Sequence, residues 1–196
     1  MAGHSTKSVL IVDLDDTLVR TDLLFEQILR LCKSQPRLAV RLPLWLFGGR
    51  AKFKTQLAES VSLDPARLPY RQTVVQMIRE ARDNGQRVML ASASHTHVVH
   101  RVAEHLGHFD EVIATSNSNL KGESKLEAIK SRLGDQPFVY AGDSSADLVI
   151  WQRSAQAIAV NPSPGVERKL AKAGVPHEIV RDRVPLLRPL LKQLRI

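Results

Sequence analysis

The sequence predicts a doubly wound α/β fold, in which a parallel sheet has helices on both faces and a small helical cap follows the first strand. Short apolar runs without polar alternation are typical of strands buried on both faces, and they occur at residues 9–12, 88–91, 112–114, 138–141 and 157–160. Helical patterns lie between the later runs, which favours right-handed crossovers between parallel strands. About 70 residues separate the first run from the second, far more than the ~10–15 residues of an ordinary crossover helix, so this gap predicts an insertion.

The insertion has helical patterns of its own. Three helices are predicted in it. The first has Leu23, Leu24, Ile28 and Leu31 on one face, and the second begins at Pro36. The third follows Gly48-Gly49 and carries Phe53, Leu57 and Val61. Asp64-Pro65 and Pro69 predict the return to the core. We therefore expect a helical cap at residues 21–70 and an α/β core formed by residues 1–20 and 71–196.

The helices of the core follow the same spacing rule. Three are predicted from apolar residues on one face: one with Val74, Val75 and Ile78 that ends at Asn84-Gly85, one with Val98, Val102 and Leu106, and one with Leu126, Ile129 and Leu133. Each of them precedes one of the predicted strands, as the alternation of a doubly wound fold requires.

The length and composition favour a single globular domain. A chain of 196 residues is long enough for one core with an insertion and too short for two full domains. The lone cysteine, Cys32, cannot form an internal disulfide, and the polar N-terminus has no apolar signal segment, so we expect a cytoplasmic protein. The longest apolar stretch, residues 38–47, is interrupted by Arg41 and Pro43 and is too short to span a membrane. The net charge of +8 favours nucleic acid, an anionic membrane surface or a phosphorylated substrate as partner.

Three carboxylates directly follow the first predicted strand. Asp13, Asp15 and Asp16 end a buried run, and the carboxyl edge of a parallel sheet is where open α/β folds bind ligands. Like charges crowded together cost free energy unless a cation neutralises them or one acid stays protonated. Since carboxylate oxygens bind hard divalent cations, this cluster predicts a metal site, with Mg²⁺ as the first choice.

Polar side chains after two later elements are expected near the same edge. Ser92 ends the second predicted strand, and Ser94 is the alternative two positions on. Lys125 begins a predicted helix, and Lys121 is the alternative before it.

A second pair of acids follows the strand at residues 138–141. Asp143 and Asp147 come after Gly142, which allows close approach of the backbone. Their spacing of four places both on one face of a helical turn.

In this order, the four groups resemble the four motifs of the haloacid dehalogenase superfamily of phosphotransferases, over about residues 8–165. The resemblance implies a Rossmann-like core. It also implies that Asp13 is the nucleophile that becomes an aspartyl phosphate, that Asp15 is the general acid and base, and that Ser92 and Lys125 bind the phosphoryl group. A general acid at Asp15 favours phosphate-ester hydrolysis over dehalogenation.

The same resemblance implies a magnesium site. Asp13, the backbone carbonyl of Asp15 and Asp143 would bind the ion, and Asp147 would act on it directly or through another ligand. Asp16 occupies a position where many relatives have glycine, and we expect it to face outward at a helix start.

The predicted cap contains a basic segment without any acid. Between residues 27 and 58 the sequence has seven basic residues, which are Arg30, Lys33, Arg37, Arg41, Arg50, Lys52 and Lys54. Apolar residues alternate with them, including Leu44, Trp45, Leu46 and Phe47. This mixture fits a substrate with two anionic groups, an anionic lipid surface, or a cap that packs its apolar residues onto itself.

A narrower resemblance comes from the cap and its surroundings. The segments Arg20-Thr21-Asp22-Leu23-Leu24, Pro43-Leu44-Trp45-Leu46 and Tyr140-Ala141-Gly142-Asp143 are similar to the phosphatase-like domain fused to bacterial UbiA-like polyprenyl transferases. The resemblance implies a prenyl- or sugar-lipid-linked phosphate as substrate and a membrane-embedded prenyltransferase as partner. The basic residues from Arg181 onward fit a linker close to a membrane.

These features together predict a magnesium-dependent phosphate monoester hydrolase. The alternatives are a phosphotransferase or mutase with the same two aspartates, and a non-catalytic, membrane-proximal module attached to a prenyltransferase. Nucleic acid is disfavoured as a partner because the basic segment lacks spaced aromatic residues for base stacking.

Overall fold

A computed structural model describes residues 8–115 and 120–182 and has one six-stranded parallel sheet in this part of the chain. The strands are β1 (Val9–Val12), β2 (Val88–His95), β3 (Glu111–Thr115), β4 (Phe138–Gly142), β5 (Gln156–Val160) and β6 (His177–Val180). Their order across the sheet is β3-β2-β1-β4-β5-β6, with every pair parallel. The predicted doubly wound α/β fold is therefore confirmed.

Nine helices accompany the strands in the described residues. They are α1 (Leu23–Ser34), α2 (Pro36–Ala39), α3 (Leu42–Phe47), α4 (Arg50–Ser60), α5 (Gln72–Asp83), α6 (Thr96–Leu106), α7 (Glu123–Leu133), α8 (Leu148–Trp151) and α9 (Pro164–Lys172). Helices α5 and α6 pack on one face of the sheet, and α7, α8 and α9 pack on the other.

The central strand shows why the apolar runs become buried strands. In β1, Leu10 and Val12 point into one hydrophobic cluster, whereas Val9 and Ile11 point into the cluster on the opposite face. All four side chains are buried. Each contributes about 1.5–3 kcal/mol relative to an exposed position, so a polar residue at any of them would weaken the sheet.

Strand β6 and helix α9 were not predicted from the sequence. Strand β6 has only four residues, two of which are His177 and Glu178, and it lies at the edge of the sheet with most side chains exposed. Since most of its side chains are exposed, β6 lacks the continuous apolar run by which the buried strands were predicted. Strand β2 is also longer than predicted and continues to His95, with a shift in its register against β3 after Ala91.

The two ends of the insertion lie side by side at the carboxyl end of β1. A bridge joins Val19 to Tyr70, and the N–H of Arg71 donates to the carbonyl of Leu18 at 2.9 Å. Asp182 forms ion pairs with Arg20 at 2.7 Å and with Arg71 at 3.3 Å. Entry and exit are thus fixed beside the edge where the acids were predicted. The domain boundary at residues 21–70 stays a prediction.

Helices α1 and α4 form the centre of the inserted segment. Leu31 of α1 packs with Phe53, Leu57 and Val61 in a small hydrophobic cluster separate from the two clusters of the sheet. Gly49, with φ 90°, stands between α3 and α4, as predicted from Gly48-Gly49. The left-handed backbone there favours glycine because other residues meet steric strain.

In the described ranges, every helix is too short or too polar to cross a membrane. The predicted linker after Arg181 falls mostly on residues 183–196, which lie outside the described residues, as do residues 1–7 of the predicted core.

Candidate active site

The first acidic group occupies a tight turn after β1. Asp13 is buried, and its Oδ1 accepts the N–H of Leu14 at 2.8 Å. The turn at Leu14–Leu18 contains Asp16 with φ 53°, in the left-handed region. Asp tolerates this region better than most residues other than glycine. Asp16 is exposed, and its carbonyl accepts the guanidinium of Arg71 at 3.2 Å.

Lys125 lies in the first turn of α7, and its buried side chain contacts Asp13, the predicted nucleophile. Lys125 Nζ donates to Asp13 Oδ1 at 2.9 Å and to the hydroxyl of Tyr140 at 3.0 Å. Burial disfavours the charged lysine, but the carboxylates of Asp13 and Asp147 outweigh this and raise the pKa of Lys125. The ammonium group therefore stays protonated at neutral pH.

Asp143 and Asp147 join Asp13 in one acidic cluster. One carboxylate oxygen from each of the three lies within 4.8 Å of the others. Burial raises the pKa of Asp13 to about 7, with Asp147 and Asp15 adding to the rise and Lys125 opposing it. Burial also raises the pKa of Asp143 to about 7, helped by the charges of Asp147 and Asp16. Without a cation, the cluster resists full ionisation.

The acids of this cluster differ in how strongly the protein holds them. Asp147 is buried; its Oδ1 accepts the Tyr140 hydroxyl at 3.0 Å, and its Oδ2 accepts both the N–H and the hydroxyl of Ser144 at 3.0 Å. Asp143 accepts a long hydrogen bond from Thr17 at 3.4 Å. In the described residues Asp143 thus has fewer hydrogen bonds to the protein than Asp147, which anchors the loop after β4.

Gly142 makes room for this arrangement. A Cβ at this position would lie 2.8 Å from Tyr140 Cε1 and 2.9 Å from Asp147 Oδ2. Any other residue there would push the Tyr140 ring or the Asp147 carboxylate away. The predicted close approach at Gly142 is therefore confirmed.

Asp15 has different surroundings and lies outside that cluster of three carboxylates. Its Oδ1 accepts the N–H of Leu23 at 2.8 Å, and its Oδ2 accepts the hydroxyls of Ser94 at 2.8 Å and Ser92 at 3.2 Å. Burial raises the pKa of Asp15, although the hydrogen bonds from Leu23 and Ser94 oppose the rise. A raised pKa suits a carboxyl group that must carry a proton.

Ser92 and Ser94 both lie within the last four residues of β2, and both donate to the same carboxylate oxygen of Asp15. Ser92 is completely buried, and its Oγ accepts the N–H of Ser94 at 2.9 Å. Ser94 lines the cavity above the acids. The assignment of phosphoryl binding to Ser92 stays a prediction, and Ser94 is closer to the open space. Lys121, the alternative to Lys125, is exposed at the cavity wall.

A cavity of about 400 Å³ opens above these groups. Its floor includes Asp13, Asp15, Asp143, Asp147 and Lys125, and the inserted helices contribute Leu24, Leu46, Phe53 and Lys54. Lys54 Nζ donates to the carbonyl of Ala93 in β2, which ties α4 to the sheet. The cavity thus has an acidic end with a buried lysine and an apolar end with a second lysine.

The chemistry of the acidic end fits a hard divalent cation. Asp13, Asp143 and Asp147 supply carboxylate oxygens, which are the ligands that Mg²⁺ takes in proteins. A bound dication would also remove the cost of ionising carboxyls whose pKa values are raised to about 7.

Sequence reasoning missed Tyr140 and Lys54. The signal for Tyr140 is a tyrosine inside a buried strand, since a buried hydroxyl needs a polar partner and the acids of the next loop are the nearest candidates. Lys54 gave no signal of its own, because it is one of seven basic residues in its segment.

The chain is similar in sequence and in structure to known proteins. Residues 10–150 match the model of the haloacid dehalogenase-like hydrolase family. Protein y4nM of Sinorhizobium fredii, which is uncharacterised, is 38% identical over 171 residues, covering 86% of this chain and 33% of that protein. The chain thus spans about a third of the length of this relative.

Many solved structures have a similar fold. A protein of unknown function from Bordetella pertussis Tohama I has a TM-score of 0.65 at 18% identity, with 90% of this chain and 99% of that chain covered. A phosphoserine phosphatase, solved as a phospho-aspartyl intermediate analogue, has a TM-score of 0.57 at 19% identity, with 96% and 99% covered. At such identities the likeness shows the fold alone.

Proposed function

The chain belongs to the haloacid dehalogenase-like hydrolase family, and from that premise we propose that it is a magnesium-dependent phosphate monoester hydrolase. One observation carries the proposal. The Asp13 carboxylate contacts the buried Lys125 at 2.9 Å, shares a cluster with Asp143 and Asp147, and faces the cavity. A nucleophile, a positive charge for the phosphoryl group and a set of metal ligands therefore meet at one point.

Asp13 is the proposed nucleophile. Its carboxylate oxygen forms a bond to phosphorus while the bond from phosphorus to the ester oxygen breaks, which gives an aspartyl phosphate and an alcohol. Covalent catalysis of this kind divides one difficult displacement into two easier ones. The phosphoserine phosphatase with a similar fold was solved as a phospho-aspartyl intermediate analogue, which supports this route.

Asp15 is the proposed general acid and base. Its raised pKa allows it to hold the proton that the departing alcohol oxygen needs. In the second step, Asp15 takes a proton from the water that attacks the phosphorus, and Asp13 is released with inorganic phosphate. The N–H of Leu23 and the hydroxyl of Ser94 hold the Asp15 carboxyl in place during both steps.

The metal ligands in this proposal are Asp13 and Asp143, with Asp147 holding the loop that carries Asp143. When bound there, Mg²⁺ supplies positive charge against the phosphoryl oxygens. Lys125 supplies a second positive charge from within the protein and orients the Asp13 carboxylate through its hydrogen bond.

The apolar end of the cavity supports an apolar alcohol as the leaving group. Leu24, Leu46 and Phe53 line it, and such side chains favour a hydrocarbon over a polar amino acid. We therefore propose a prenyl- or sugar-lipid-linked phosphate as substrate. The partnership with a membrane-embedded prenyltransferase rests on the sequence resemblance alone.

The test is a set of phosphate esters assayed with and without Mg²⁺. The set contains p-nitrophenyl phosphate, phosphoserine, a short prenyl monophosphate and a sugar phosphate. We expect activity only with the metal and the highest kcat/KM with the prenyl ester. Release of inorganic phosphate, measured against transfer to an added alcohol, separates a hydrolase from a phosphotransferase.

Matched variants connect the activity to the site. Asp13→Asn abolishes turnover and the hydroxylamine-labile phosphopeptide that wild type gives after an acid quench. Asp15→Asn lowers kcat by about 10²–10⁴-fold. Asp83→Asn, at an exposed position on α5, leaves activity unchanged. The proposal fails if wild type with Mg²⁺ hydrolyses none of the esters, or if Asp13→Asn turns over as fast as wild type.

A further inference from the structure

Helix α3 is apolar on every side. Its six residues, Leu42–Phe47, are Leu-Pro-Leu-Trp-Leu-Phe, without one polar side chain. Leu42 and Trp45 face inward and pack against the hydrophobic cluster of α1 and α4. A helix that is apolar all round is normally buried all round, so its outer face needs something to cover it.

The outer face of α3 and the turn before it are open to solvent. Phe47 is 89% exposed, Val40 76% and Leu44 69%. Nothing in the described part of the chain covers these side chains. Single exposed apolar residues are common on proteins, but three large ones within eight positions form a patch, which marks a binding surface.

Exposed basic residues flank this patch in the sequence. Arg37 and Arg41 precede α3 and are exposed, and Lys52 follows it and is also exposed. The segment from residue 27 to residue 58 has no acid to neutralise them. In the described residues Arg37, Arg41 and Lys52 form no ion pair, so the patch combines hydrocarbon with basic side chains that have no acidic partner there.

We propose that this patch, made of Val40, Leu44 and Phe47 with Arg37 and Arg41, docks on the surface of an anionic lipid bilayer. The apolar side chains enter the boundary between headgroups and acyl chains, and the arginines lie among the anionic headgroups. This inference goes beyond the proposed hydrolase activity and does not depend on it.

A second copy of the chain fits the patch less well. A symmetric contact places the same surface on both partners, so Arg37 and Arg41 of both copies would approach one another without any acid from this segment between them. The anionic headgroups of a bilayer provide the missing opposite charge.

The position of Leu46 adds a functional consequence. Leu46 lies between Leu44 and Phe47 in α3 and lines the cavity above Asp13. A bilayer seated on the outer face of α3 would therefore lie close to the apolar end of the cavity, where an apolar phosphate ester would enter.

The experiment uses the full chain and Trp45 as an intrinsic probe. The protein is mixed with vesicles of phosphatidylcholine alone or with about 30% phosphatidylglycerol, and binding is measured by co-sedimentation at about 0.1 and 0.5 M NaCl. The chain has two tryptophans, and the other, Trp151, is completely buried. Brominated acyl chains should therefore quench Trp45 emission and leave Trp151 emission unchanged, and Trp45→Phe should remove the quenched component.

Two pairs of variants separate the apolar and the charged contributions. Phe47→Ser should lower the partition coefficient about tenfold, whereas Ile179→Ser, which also changes an exposed apolar residue, should not change it. The double variant Arg37→Ala and Arg41→Ala should lower it by about tenfold or more, whereas Arg168→Ala with Lys169→Ala on α9 should lower it much less. All four of these variants should hydrolyse p-nitrophenyl phosphate at the wild-type rate.

Three results would overturn the proposal. One is equal sedimentation with neutral and anionic vesicles, and another is binding that persists undiminished in Phe47→Ser. The third is a wild-type dimer in light scattering that Phe47→Ser converts to monomer, since a second copy would then cover the patch. An inactive wild type that still binds anionic vesicles would refute the proposed hydrolase activity and would still support the proposed docking on a bilayer.

Discussion

Replacement of Asp143 by asparagine should stabilise the metal-free protein at pH 8. Asp143 is half-buried beside Asp147 and Asp16, and burial with these charges raises its pKa from 3.8 to about 7. In the unfolded chain the same carboxyl has the ordinary aspartate pKa of 3.8. Ionisation above pH 7 therefore costs the folded state more than the unfolded state. Asparagine removes that cost and keeps an oxygen to accept the Thr17 hydroxyl.

The size of the effect follows from the pKa shift. About three pKa units correspond to about 4 kcal/mol as an upper limit, and solvent access to Asp143 reduces this to about 1–2 kcal/mol. The sign depends on pH in a defined way. Since the folded-state pKa is the higher one, the cost builds up between about pH 4 and pH 7. The stabilisation by Asp143→Asn should therefore grow over this range and stay constant above it.

Urea unfolding in EDTA at pH 4, 6 and 8 measures the effect. The control is Asp83→Asn at an exposed position, which should change the free energy of unfolding by less than about 0.5 kcal/mol. Addition of Mg²⁺ at about 100 times its Kd should stabilise wild type by about 2.7 kcal/mol and Asp143→Asn much less. A variant that is less stable than wild type at pH 8 without metal, or equally stabilised at every pH, would refute the electrostatic reasoning.

Three further outcomes are expected. Because the pKa values of Asp13 and Asp143 are raised to about 7, protons compete with the metal below that pH. Calorimetry should therefore show that the Mg²⁺ affinity falls from pH 8 to pH 6 and that protons are released on binding. An affinity that does not change with pH would contradict this. Tyr140→Phe removes the hydroxyl that donates to Asp147, and should lower the free energy of unfolding by about 1–3 kcal/mol, measured in urea; an unchanged midpoint would contradict it. Gly142→Ala should displace the Asp147 carboxylate or the Tyr140 ring and so weaken Mg²⁺ binding in the same calorimetric assay. The control is Gly134→Ala at the surface, which also strains the backbone but should leave the metal affinity unchanged.

The strands and the position of the site could be predicted because both depend on local sequence. Each central strand begins with a short apolar run, and the run ends at an acid, a serine or a glycine, although β2 itself continues past Ser92 to His95. Asp13, Ser92 and Asp143 were predicted at the same edge for this reason, and the parallel order of β2, β1 and β4 places their strands next to one another.

The contacts that hold the site could not be predicted, because they depend on how the elements pack against one another and not on the local pattern of the sequence. Tyr140 receives a hydrogen bond from Lys125 and donates one to Asp147 only after α7 has packed on the sheet. Asp15 is held by Leu23, eight residues later, at the first turn of α1. The raised pKa values of the acids could not be predicted either, because they depend on burial, which only the fold determines.

The paired ends of the insertion make the inserted segment exchangeable. Main-chain hydrogen bonds at Leu18 and Arg71 close the segment at its base, so a substitute of different length adds little loop-closure entropy to the cost of folding. A graft must retain an apolar residue at Leu23, which packs into the core, and an N–H to donate to Asp15. Within these two constraints, the same acidic edge of the sheet can be combined with inserted segments of other lengths and linings, by recombination in nature or by design in the laboratory.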